Sequence, residues 1–71
     1  MAIEPDLAHL AIAVERQVND HFEAAFNLNT LGDIQDKGTS VEALRVIAHL
    51  NTAVGIIVSF QNAILNRCNG T

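Results

Sequence analysis

Apolar residues return at Ile3, Leu7, Leu10, Ala11, Val14, Val18, Phe22, Ala25 and Leu28, in the three- and four-residue steps of one helix face. Glu15, Arg16, Asn19, Asp20, Glu23 and Asn27 take the opposite side. The pattern predicts an amphipathic first helix over residues 5–31. Pro5 and Asp6 suit its first turn: proline there sacrifices no intrahelical bond, and an acid complements the positive end of the helix dipole. Gly32 is expected as its C-cap and residues 32–39 as the connection. Thr39-Ser40-Val41-Glu42 has capping-box form, with Thr39 expected to accept from the Glu42 N–H and the Glu42 carboxylate to return to the Thr39 N–H. The second helix is expected over residues 40–67, ended by Asn69-Gly70.

That second segment holds no Asp, Glu, Lys or Arg from Val46 to Asn66. Val46, Ile47, Leu50, Ala53, Val54, Ile57, Val58, Ile64 and Leu65 form one broad stripe, expected to meet the first helix. The stripe runs longer than a typical strand, so the β-branched run Ile56-Ile57-Val58 is read as helical. On the other side stand Ala48, Thr52, Gly55, Ser59 and Ala63. Small residues let helix backbones approach closely, so these five are the expected self-association face. The uncharged run is long enough to span a bilayer. Its His49, Asn51, Thr52, Gln61, Asn62 and Asn66, and the amphipathic first helix, weigh against a membrane span. The expected fold is all-α: a two-helix antiparallel hairpin pairing as a homodimeric four-helix bundle. In architecture alone this plan resembles the small plasmid copy-number RNA-binding proteins of Rop type, with which the chain shares no motif.

Size supports assembly. Seventy-one residues make one domain, 1–71, too short to build a large core unaided. Cys68 is the only cysteine, so no disulfide forms within the chain, and oligomerisation is the expected source of further burial. An apolar fraction of 49% argues against disorder. The net charge is −4, and Arg16, Lys37, Arg45 and Arg67 are the only fixed positive charges, which argues against nucleic-acid binding. The start of the chain lacks the basic region and cleavage site of a secretory signal, and cysteine usage fits a reducing compartment, so a cytoplasmic location is expected.

Chemistry is sparse. No carboxylate pair, Ser-His-Asp pattern, phosphate loop or nucleophile elbow is readable, so the chain is expected not to be an enzyme, with no catalytic residue and no cofactor. No metal site is expected from His9, His21 and His49. His21 reads as a boundary histidine with one hydrogen-bonded nitrogen, and Glu42 and His49 lie about 10 Å apart along a helix. Cys68 reads as a terminal thiol. Ile12 and Phe26 depart from the first helix's main stripe and are flanked by Glu15, Asn19 and Glu23, which makes these five the candidate partner-binding residues. The expected function is that of a small acidic regulatory protein acting by protein–protein binding. It would be an inhibitor, anti-activator or adaptor of bacterial or phage type, suited to a partner with a basic surface. Two alternatives stand beside it. One is an oligomer that sequesters an anionic ligand such as a nucleotide, held by Lys37, Thr39, Ser40 and Arg45 around a helix N-terminus. The other is a structural subunit of a larger assembly.

Overall fold

The computed structural model describes residues 6–69, which form α1 (Leu7–Ala25), α2 (Leu28–Lys37) and α3 (Ser40–Asn69), with no strand among the described residues. The expectations for Ile3, Pro5 and Gly70 fall outside them. Asp6 caps α1: its carboxylate accepts from the His9 backbone N–H at 2.8 Å and meets His9 Nδ1 at 2.9 Å. These bonds favour the ionised form and hold the Asp6 carboxyl below its usual range, the backbone bond contributing most.

The first arm is not one continuous helix. Phe26 closes α1 by donating its N–H to the Phe22 carbonyl, and Asn27 then leaves helical geometry at φ −70°, ψ 115°. The Asn27 side chain accepts from the Thr30 N–H at 3.0 Å and so starts α2. Residues 33–37, expected as linker, are helical, and the connection shrinks to Gly38 and Thr39. Gly32 lies inside α2. Gly38 is the C-cap, with φ 62° and its N–H bonded to the Ile34 carbonyl. A left-handed residue is needed at only one place here, and glycine supplies it at little steric cost. We expect Asn27→Ala to cost about 1 kcal/mol in a denaturant titration, because α2 loses its first-turn acceptor. No measurable loss would show that α1 and α2 stay fused in solution.

The capping box also differs in detail. Thr39 and Glu42 do meet, but side chain to side chain: the Thr39 hydroxyl donates to the Glu42 carboxylate at 3.3 Å. The Thr39 carbonyl takes the Ala43 N–H and opens α3.

The bent arm α1–α2 folds back along α3, giving a helical hairpin 54 Å long and 17–18 Å in its other dimensions. His21 of α1 touches His49 of α3, which fixes the antiparallel register. Stepping along both helices from that contact sets Ala25 level with Val46, Val18 with Ala53, Val14 with Ile56 and Ala11 with Phe60. Small stands opposite large at three of these four rungs, an alternation that suits close packing of two helices. Ala25 and Ala53 are fully buried, and Val18 and Val46 retain only 8% exposure. Among the described residues these four are the whole buried core.

The first-helix stripe is seated as expected from Leu7 to Ala25. Leu28 is not: it follows the Asn27 break and is 82% exposed. The α3 stripe needs a larger correction. Val46, Leu50 and Ala53 turn toward α1, whereas Ile47, Val54, Ile57, Val58, Ile64 and Leu65 are exposed. The face that meets α1 runs Val46, His49, Ala53, Ile56, Phe60, Ala63 and Arg67, in alternating steps of three and four. That is a coiled-coil seam, set to one side of the stripe of large residues.

Candidate functional site

On α3 the exposed apolar residues repeat the seam's spacing on another side. Leu44, Ile47, Asn51, Val54, Val58, Gln61 and Leu65 again alternate steps of three and four. All of them are exposed. A helix carrying two such seams has two packing faces, and α1 covers one.

The second seam is joined by residues of α1. A cleft on one side of the hairpin is lined by Ala24 of α1 with Glu42, Arg45 and His49 of α3, and by Asp33 of α2. This fixes how the two helices are turned relative to each other. At about 100° per residue, Ile12, Phe22 and Phe26 of α1 then fall on the other side, with Val54, Ile47 and Val58 of α3. Ile12 and Phe26 are more than half exposed. Phe26 stacks on Phe22 with ring centroids 5.3 Å apart, and Asn19 and Glu23 border the pair. The candidate partner residues Ile12, Phe26, Glu15, Asn19 and Glu23 therefore lie on the same side as the exposed α3 seam. Hydrophobic anchors with a polar rim are the arrangement of an interaction surface.

The small-residue side is also uncovered within the chain. Ala48, Thr52, Gly55 and Ser59 are exposed, while Ala63 is half-buried toward α1. Thr52 folds its hydroxyl back onto the Ala48 carbonyl at 2.9 Å, which satisfies it inside the helix. A Cβ built on Gly55 meets nothing within 4 Å, so no backbone of the same chain approaches there. Gly55→Ala is accordingly expected to raise stability by roughly 0.5–1 kcal/mol through helix propensity. A loss of similar size in thermal melting would mean that a second chain packs closely on this side.

The anion-binding candidates are already engaged with acids. Lys37 Nζ lies 3.6 Å from Asp33 Oδ1, and Thr39 donates to Glu42. Ser40 opens α3 and is exposed. Arg45 lines the cleft beside Asp33 and Glu42, so an entering anion meets two carboxylates as well as the guanidinium. Cys68 is exposed near the end of α3. Among the described residues no three His, Cys, Asp or Glu side chains converge.

One contact lay outside the sequence reading. His21 and His49 bring their Nδ1 atoms to 3.0 Å across the α1–α3 seam, with ring centroids 5.2 Å apart and planes tilted by 44°. One neutral ring donates Nδ1–H to the bare Nδ1 of the other. The two positions fall on matching seam steps, His21 between Val18 and Ala25 and His49 between Val46 and Ala53. The heptad spacing was the available signal.

No protein-family model, curated protein or solved structure matches the chain.

Proposed function

We propose that this chain is a small regulatory protein that works by binding other proteins, and that its working form is a homodimeric four-helix bundle. The observation that carries the proposal is the second apolar seam on α3, continued onto α1 by Ile12, Phe22 and Phe26. Surface area supports a second copy as its first occupant. The hairpin exposes 5559 Å², whereas a folded monomer of 7.7 kDa is expected to expose about 4,300 Å². The excess, roughly 1,200 Å², exceeds the area of about 800 Å² that each partner contributes to a standard interface. Asn51 sits within the seam, where a polar residue can set register between like helices. Glu15 and Glu23 would remain at the rim, available to a partner with a basic surface. The reading carries with it a soluble chain in the cytoplasm.

The same helix has the length and composition to cross a membrane: the most apolar 18-residue window within Ser40–Cys68 has a mean hydropathy of 1.6, and 11% of that window is buried. Its six Asn, Gln, His and Thr residues from Val46 to Asn66, and the polar side of α1 held alongside it, favour water and a protein partner over lipid. Sedimentation equilibrium of the purified chain tests the proposal. A dimer in aqueous buffer supports it. A monomer at tens of micromolar, or recovery of the chain only with detergent or vesicles, would overturn it.

A further inference from the structure

The His21–His49 contact joins two metal-ligating nitrogens from different helices. Two nitrogens bound to one zinc ion at 2.0–2.1 Å stand about 2.9 Å apart at a right angle and about 3.4 Å apart at the tetrahedral angle. The Nδ1 atoms here are 3.0 Å apart. That separation falls within the range a shared ion requires; the rings face each other nearly head-on, with centroids 5.2 Å apart, and swing about their side-chain bonds to converge on the ion. Imidazole suits zinc, nickel and copper, whereas magnesium and calcium prefer oxygen.

We propose that His21 and His49 form a two-nitrogen chelate for a divalent transition-metal ion, with water completing its coordination. Each ring then carries its proton on Nε2 and turns the bare Nδ1 to the metal. The surroundings allow a cation: Glu42 of α3 and Asp33 of α2 line the adjoining cleft and offset Arg45, the nearest positive charge lining it. The site lies on the side of the hairpin away from the exposed α3 seam, so dimerisation through that seam leaves it open. The two histidines are 28 residues apart in sequence, so the unfolded chain does not present them together. Binding is therefore linked to folding, and the ion clamps α1 to α3.

Thermal melting of the full chain with added metal reads this directly. A rise of roughly 7 °C is expected at pH 7.5 once zinc or nickel exceeds its dissociation constant about tenfold. Magnesium should give none. His21→Gln and His49→Gln should each abolish the rise, whereas His9→Gln, which breaks the exposed Asp6–His9 pair, should leave it intact. No rise in the unaltered chain at millimolar zinc or nickel, or a rise that survives either seam substitution, overturns the proposal. Should the variants fail to fold, copper on the unaltered protein replaces them. Electron paramagnetic resonance showing two coupled imidazole nitrogens supports the chelate, and one or none rejects it. Sedimentation must show the same mass with and without metal, because a metal-driven increase would place the ion between chains.

Discussion

Val54→Glu and Val58→Glu are expected to abolish self-association. Both residues sit on the exposed seam of α3, at 57% and 45% exposure in the isolated hairpin. In a two-fold dimer each substitution appears twice, and each copy would bury a carboxylate among Ile47, Val54, Val58 and Leu65. At about 2 kcal/mol for each disrupted central contact, the pair costs about 4 kcal/mol, or roughly a thousandfold in dissociation constant. Sedimentation equilibrium should then report monomer, helical or unfolded, at concentrations where the unaltered chain is dimeric. Thr52→Glu, on the small-residue side, is the paired control and should leave the dimer intact. If Thr52→Glu dissociates it and the two valine substitutions do not, the Ala48–Gly55–Ser59 side is the interface and the exposed seam has another occupant.

The contrast between those two sides explains what the sequence could and could not reveal. The first helix was legible because its main apolar stripe, with Leu7, Val14, Val18 and Ala25, stands against a mostly polar remainder, from which only Ile12 and Phe26 depart. The second helix has apolar residues around most of its circumference, so hydrophobicity finds the helix but not its orientation. The large residues Ile47, Val54 and Val58 attract the eye, yet α1 packs against Val46, Ala53 and Phe60, because close approach needs small residues set opposite larger ones. The three–four alternation from Val46 to Arg67 recurs from Leu44 to Leu65, so spacing alone does not choose between the two faces.

The connection differs from its expected form for a related reason. Gly32 and Gly38 are both able to end a helix, and polar Asp33, Gln35, Asp36 and Lys37 look like a loop. Asn27, two residues after Ala25, supplies with Thr30 a fresh N-cap, and the helix resumes. Only Gly38 has the positive φ that glycine serves. The His21–His49 pair was hidden by sequence distance. Neither residue has a ligand partner on its own helix, and only the antiparallel register makes them neighbours.

That register makes its sharpest claim at Ala53. Its side chain is fully buried, level with Val18 of α1. Ala53→Leu adds three carbons where no space exists, so the helices must separate or the side chains must leave their rotamers. Overpacking of this kind costs about 2 kcal/mol. For a chain with only four buried core residues among those described, that is a large share of the few kcal/mol a domain this small can reach. The melting temperature should fall by about 10 °C. Ala48→Leu makes the same chemical change one turn away on an exposed face, where alanine and leucine have similar helix propensities, and it should be nearly neutral. If Ala53→Leu were as stable as Ala48→Leu, α1 would not lie against the Val46–Ala53–Phe60 seam. The stripe of Ile47, Val54 and Val58 would then be the face turned toward α1, and the surface proposed for a second chain would already be filled by the first.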